Sequence, residues 1–350
     1  MYDGTPRPPF APPRSLRLPR RGTLRAAALG AALSAVLLTG CGTSEDASDK
    51  GGSADSATKG FPVTVDNCGM RTTYEKPPSR VVAIHQHPTE LLLKLGLKEK
   101  IVGTAFPDSA VLPELKKEYA ALPQLAKKEP SFEAVLDTEP DLVYGGYASA
   151  FAEKDGRSRK AFDKAGIDTY LNREYCGKKR VSMTDAYDEV RTVGSVFGVP
   201  DRAARLVADL KGRVDRAGKA VRGAPAVPVF VYDSGDKSAF TAGGKSLGTE
   251  ILRLAGGRNV FADIDEVFGD ASWEQVVARR PEVVVIYDYA GAGSVERKKE
   301  FLLSQPALAD VPAVKNKRFV VLPLTATLVG IRAPYAVEEL ARGLHPERFR

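Results

Sequence analysis

The sequence predicts an α/β protein in which two similar parallel-sheet lobes are joined by a long helix. Three observations carry this. Residues 131–143, S-F-E-A-V-L-D-T-E-P-D-L-V, return in outline as residues 272–284, S-W-E-Q-V-V-A-R-R-P-E-V-V. Each copy reads as a short helix, a Pro break and an apolar strand. A second echo pairs Thr89-Glu90-Leu91-Leu92 up to Gly96 with Thr249-Glu250-Ile251-Leu252 up to Gly256, and in both halves it precedes the first motif. Between the halves, Asp201–Val221 places Leu206, Leu210, Val214 and Val221 on one helical face. A helix of that length rises about 31 Å, enough to run along two lobes.

The first lobe is expected over residues 61–183. Val63 and Val65 open it, and Arg80-Val81-Val82-Ala83-Ile84 reads as a buried strand. The loop His85-Gln86-His87-Pro88 leads to a helix over Thr89–Leu95, with Pro88 near its first turn and Gly96 ending it. Strand Ile101-Val102-Gly103, helix Ser131–Thr138, strand Leu142-Val143-Tyr144, helix Ser158–Ala165 and strand Ile167–Leu171 follow. Strands alternating with helices of this length argue for a parallel sheet. Residues 184–224 form a linker in which helix Asp185–Phe197 is broken by Gly198-Val199-Pro200 before the long helix. Residues 225–350 restart with strand Val227–Tyr232. They repeat the alternation through Val283–Tyr287 and Phe319–Leu322 to a closing helix over Ala333–Leu344. Two like lobes imply a cleft, and a cleft implies a ligand.

Residues 1–41 read as an export signal. Residues 1–40 hold six Arg and one Asp, Ala26–Leu38 is an unbroken small and apolar run, and Leu38-Thr39-Gly40-Cys41 closes the segment. That run rises about 20 Å, short of the roughly 30 Å of a bilayer core; the alternative is a short buried helix. The Leu-Thr-Gly-Cys ending resembles a bacterial lipobox, which implies that Cys41 is lipid-modified and heads the mature chain. Arg20-Arg21 followed by Leu24 bears a faint likeness to a twin-arginine signal. Residues 42–60 are small and polar and cannot bury apolar surface. They are expected to form a flexible tether of about 25 Å mean reach.

Of the net charge of +7, residues 1–40 carry +5, so the remainder is near +2. It has no basic stripe with interleaved aromatics, so nucleic-acid binding has no support. With Cys41 acylated, Cys68 and Cys176 are left. An oxidising compartment permits one pairing, a Cys68–Cys176 disulfide, the alternative being two buried free thiols.

The run P-x-R-V-V-A-I, then T-E-L-L-L-x-L-G, then S-F-E-x-V-L-x-x-x-P-D-L-V resembles the periplasmic-binding family of ABC importers over roughly residues 61–345. The nearest branch serves iron–siderophore, haem, vitamin B12 and related large chelates. The resemblance implies a class III fold, with a long helix between the lobes and a largely pre-formed cleft. It implies an extracytoplasmic, lipid-anchored binding protein rather than an enzyme, a monomer with no cofactor and no resident metal. A permease and its ATPase would come from other chains. It also gives the repeated glutamates a role, since one Glu near the tip of each lobe docks on permease arginines. Glu133 and Glu274 hold the matching positions. A plainer role coexists: each follows a Ser N-cap, where a carboxylate favours the helix dipole by about 0.3–1 kcal/mol.

In open α/β lobes, ligands sit beyond the carboxyl ends of strands. Those ends hold the candidate ligand-binding residues His85, His87, Tyr147, Arg173, Tyr232, Lys237, Lys245, Tyr289 and Arg332. Aromatic faces suit a flat or conjugated chelate, and Arg and Lys suit carboxylates or phosphates. The set favours a sizeable anionic or amphiphilic ligand such as a ferric siderophore. Corrinoid, haem or a phosphorylated cofactor precursor are the alternatives, and each residue alone is also an ordinary loop residue. His85 and His87 are two of three His in the chain. An H-x-H pair can ligate a metal or an axial position of haem. No third ligand stands at a telling spacing, so hydrogen bonding or loop packing is expected instead. Trp273 is expected to pack at its helix start. There is no H-E-x-x-H, and Gly243-Gly244-Lys245-Ser246 lacks the first Gly of a phosphate loop, Ala239 standing there. The remaining rival class is a lipid-anchored sensor or adhesion module.

Overall fold

Val81-Val82-Ala83-Ile84 is buried along its whole length, as a strand is when helices cover both faces of its sheet. The computed structural model describes residues 60–177, 179–290 and 293–350. The expected signal, Cys41 and nearly all of the tether lie outside them. The first lobe opens with a hairpin of β1 (Val63–Asn67) and β2 (Met70–Tyr74). Then follow β3 (Val81–Ile84), α1 (Gln86–Lys94), β4 (Ile101–Ala105), α2 (Lys116–Ala120), β5 (Gln124–Ala126), α3 (Phe132–Leu136), β6 (Leu142–Gly145), α4 (Arg159–Lys164) and β7 (Asp168–Leu171). The five later strands form one parallel sheet in the order β5-β4-β3-β6-β7.

Two helices then cross over, α5 (Met183–Val196) and the 21-residue α6 (Pro200–Ala220), in which Pro200 supplies the preset φ of a first helical position. The second lobe contains β8 (Val227–Tyr232), β9 (Ala239–Ala242), α7 (Leu247–Leu254), β10 (Gly257–Asn259), β11 (Phe268–Ala271), α8 (Trp273–Arg279) and β12 (Val283–Asp288). It ends with α9 (Val295–Ser304), α10 (Pro312–Lys315), β13 (Phe319–Pro323) and α11 (Ala333–Leu344). Its parallel sheet runs β10-β8-β12-β13. The expected class is therefore present: two parallel sheets and a long joining helix.

Period-two alternation assigns each strand face to a different core. Val81 and Ala83 of β3, and Val283, Val285 and Tyr287 of β12, point into one core that also takes Val190 and Val193 of α5, Val207 and Leu210 of α6 and Val337 and Leu340 of α11. Val82 and Ile84 point into a satellite core of the first lobe, and Val284 and Ile286 into one of the second. The long helix lies against both α5 and α11. Its buried residues include Leu210, while Leu206 and Val214 are partly buried against the same core.

The repeated motif folds alike in both copies. Ser131 and Ser272 cap α3 and α8, accepting from the amides of Ala134 and Gln275. Phe132 and Trp273 pack inward, Val135 and Val276 are buried, and Glu133 and Glu274 are exposed. Three features depart from expectation. Helix α1 starts at Gln86 rather than Thr89, because His85 at φ 85° turns the chain directly from strand to helix. The antiparallel ribbon of β9 and β11 is a further element of the second lobe, and the β1–β2 hairpin is one of the first. Its turn residue Cys68 is bonded through sulfur to Cys176, beyond β7. No helix among the described residues is long and apolar enough to cross a membrane.

Candidate functional site

At the carboxyl end of the first sheet, β3 and β6 deliver His85 and Tyr147, and the start of α1 delivers His87. His85 has φ 85° and ψ 158°, a region that is almost exclusively glycine's and costs a side-chain-bearing residue about 1–3 kcal/mol. The conformation is held by the ring, whose Nδ1 accepts from the amides of Gly146 and Tyr147, both at 3.3 Å. The ring proton is therefore on Nε2, which lies 3.5 Å from Glu129 Oε1. The His85 ring beside it lowers the Glu129 carboxyl to about 2.

His87 has the opposite arrangement. Its Nε2 donates to the Gly146 carbonyl at 3.1 Å, leaving the buried Nδ1 with an unshared lone pair. Burial, reinforced by His85, lowers its pKa to about 3, so the ring is neutral at any physiological pH. Gly146 is required here, since a Cβ would stand 2.5 Å from His87 Cε1 and 2.9 Å from His85 Cβ. Tyr147 packs edge-on to both rings, at 4.5 and 5.1 Å between centroids, and donates to Asp108 Oδ2 at 2.6 Å. Phe106 and Tyr175 complete an aromatic wall. Burial raises the Asp108 carboxyl.

Among the described residues, the buried atoms His87 Nδ1 and Asp108 Oδ1 have no hydrogen-bond partner, and His85 Nε2 has only its 3.5 Å approach to Glu129. Such atoms are costly unless something satisfies them. Among the described residues no group of three or more His, Cys, Asp or Glu side chains is placed to hold a metal ion. The His85 and His87 rings present different nitrogens, one carrying a proton and one a lone pair, which suits hydrogen bonding more than joint ligation.

The second lobe contributes Asp233 and Tyr289. The nearly buried Asp233 accepts from Ser234 Oγ at 2.8 Å and Tyr289 Oη at 2.9 Å. Lys298 donates to the Tyr287 carbonyl and lies 5.1 Å from the Tyr289 ring centre, fixing that ring. The lobes meet through a set of polar links. Arg332 forks onto Glu90, with Nε–Oε2 at 2.6 Å, and its Nη2 also reaches the Ala110 carbonyl at 2.6 Å. Asn172 donates to the Val329 carbonyl at 2.8 Å, Glu174 accepts the Val329 amide at 2.6 Å, and Ser109 meets Thr325 at 2.8 Å. The Ala290 amide donates to the Asp108 carbonyl at 3.2 Å, so Tyr289 stands one residue from the His–Tyr cluster.

Of the nine candidate ligand residues, the structure thus gathers His85, His87 and Tyr147, with Tyr289 close by. Others have different occupations. Arg332 is committed to Glu90. Tyr232 is buried with Phe230, Trp273 and Phe301, its hydroxyl given to the Gly235 carbonyl. Lys245 binds Asp265 through both carboxylate and carbonyl. Lys237 is exposed in the loop before β9, and Arg173 lines a separate lateral cavity. Phe106, Asp108, Glu129 and Tyr175 were not anticipated. Phe106 and Asp108 directly follow β4, so the strand-end rule reaches them, whereas nothing local marks Glu129.

A family model described as periplasmic binding protein matches residues 81–326. The chain belongs to the periplasmic binding protein family. An uncharacterized ABC transporter substrate-binding lipoprotein of Bacillus subtilis is 28% identical over 91% of this chain and 96% of its own length. A vitamin B12-binding protein of Vibrio vulnificus is 22% identical over 69% of this chain and 81% of its own. A solved structure from Saccharomonospora viridis, an ABC-type Fe3+-hydroxamate transport system, superposes with a TM-score of 0.69 at 27% identity, covering 83% of this chain and 99% of that one. Periplasmic binding proteins of this class carry substrates to ABC importers and are not enzymes, and the two-lobed architecture is their class III fold.

Proposed function

We propose that this chain is a lipid-anchored extracytoplasmic protein that captures a large metal chelate, a ferric siderophore first among them, and delivers it to an ABC permease and its ATPase. The observation that carries the reading is the aromatic, histidine-bearing cluster at the strand ends, with the unpartnered His87 Nδ1 and Asp108 Oδ1, inside a periplasmic binding protein fold. Conjugated ligands lie well against the edges of Tyr147, Phe106 and Tyr175, and polar ligand atoms meet His87 Nδ1 and Asp108 Oδ1. Anchoring through Cys41 draws support from the Bacillus subtilis relative, itself named a lipoprotein. A corrinoid is the second reading, favoured by the vitamin B12-binding relatives.

Glu133 and Glu274 are the proposed docking residues. In a parallel crossover the helix leading into a strand starts at the carboxyl edge of the sheet. The starts of α3 and α8 therefore lie on the cleft side of their lobes, with both carboxylates exposed.

Calorimetric titration with ferric siderophores, haem and cobalamin tests the ligand, and uptake assays on Glu133→Lys and Glu274→Lys test the docking. The expected result is micromolar or tighter binding of one chelate class, with both reversals abolishing uptake and leaving binding unchanged. If no chelate binds, the ligand reading fails. If the reversed proteins transport normally, the docking assignment fails.

A further inference from the structure

A cavity of about 500 Å³ opens on the first lobe, and none of the His–Tyr cluster's side chains lines it. Two independent ties fix its walls. Asn67, at the end of β1, donates to the Leu171 carbonyl and accepts the Leu171 amide, both at 2.8 Å, so the hairpin is pinned to the end of β7. The Cys68–Cys176 bridge closes the rim beside it. Helix α5 supplies a further wall with Asp185 in its first turn and Thr192 farther along.

The charges lining this cavity are unequally engaged. Its carboxylates already accept backbone amides: Asp66 from Gly69, Asp185 from Ser182, and Glu174 from Val329 of the other lobe. Its cations Arg173, Lys179 and Arg180 are in no ion pair among the described residues. The Arg173 guanidinium has only a 3.5 Å hydrogen bond to Thr192 Oγ1. Three carboxylates and three cations balance in charge here, but the carboxylates spend acceptor positions on amides while the guanidinium and ammonium donors stay largely free. The hydrogen-bonding groups left for an occupant of this cavity are therefore donors suited to an anion. Unlike the His–Tyr cluster, the walls offer little aromatic surface, which selects a hydrophilic occupant.

We propose that this cavity is a second ligand site, separate from the cleft, for a small soluble polyanion carrying paired carboxylate or phosphate groups. It does not depend on the importer reading. The test is calorimetric titration of citrate and of pyrophosphate into the purified full-length protein in detergent. Saturable one-site binding of at least one of them is expected. Arg173→Gln and Arg180→Gln each weaken it by about tenfold or more, Arg173→Lys retains part of the affinity, and Lys160→Gln, on the exposed face of α4, leaves it unchanged. Arg180 is exposed, so its variant tests the site even where the Arg173 variants fold poorly. No saturable binding of either probe overturns the proposal. Equal weakening in Lys160→Gln also overturns it, since that marks diffuse attraction to surface charge.

Discussion

Replacing Arg332 by Met removes the cation from the ion pair that links the lobes. Glu90 is fully buried and the Arg332 side chain is 5% exposed, so the carboxylate is left in the interior with no countercharge. Its Oε1 keeps the Gln86 amide at 3.2 Å and the Leu112 N–H at 3.1 Å, while Oε2 loses its guanidinium bond. Breaking one side of a buried pair costs about 3–5 kcal/mol, and the two surviving donors set this case at the lower end, about 3 kcal/mol. At about 2–4 °C per kcal/mol for a chain of this size, Tm falls by about 6–12 °C. Glu90→Gln combined with Arg332→Met leaves no buried charge and keeps the Leu112 bond, so it recovers more than half of the loss. Calorimetric unfolding of the wild type, both single variants and the double variant at pH 7 measures this. A double variant destabilised by the sum of the two single effects would refute the account, because the groups would then be acting independently.

Glu189, buried under Tyr144, Tyr170 and Asn172, is pushed by burial up to about 7. A raised carboxyl pKa means that the folded state binds the proton more tightly, so the contribution of this group is full below about pH 4.5 and is lost as pH rises through about 7; Glu189→Gln should flatten that part of the Tm profile. Mass spectrometry of the unreduced protein should find no free thiol at Cys68 or Cys176. The bridge spans 108 residues, and Cys68→Ser should cost about 2–5 kcal/mol. Ser131→Ala and Ser272→Ala should each cost about 1 kcal/mol in urea unfolding, and a cost at only one of them would break the equivalence of the two copies.

Features governed by local chemistry were legible in the sequence. Ser131 and Ser272 cap their helices because a hydroxyl can satisfy an amide three residues on. The strands at Val81, Val227 and Val283 were plain because strands covered on both faces read as apolar runs. What escaped was governed from a distance. Arg332 and Glu90 are separated by 242 residues, and nothing local distinguishes an arginine that holds the lobes together from one that faces a ligand. The early start of α1 follows from a His85 backbone conformation held by amides of the Gly146–Tyr147 turn. The β9–β11 ribbon consists of four-residue strands too short for a pattern to rise above its surroundings. The His–Tyr cluster was half visible: its histidines stood in a strand-end loop, but Glu129 and Asp108 joined them only through the folding of other loops.

The core shared by both sheets has a consequence for how this molecule can be divided. Val81 of the first lobe, Leu210 of the joining helix and Val285 of the second lobe belong to one apolar cluster. A cut between residues 221 and 225 leaves each fragment with an open half of that cluster. Neither half is then a free-standing unit, despite the repeat that made them look like two. The pair should melt in a single transition, and separately expressed halves should gain structure only when mixed.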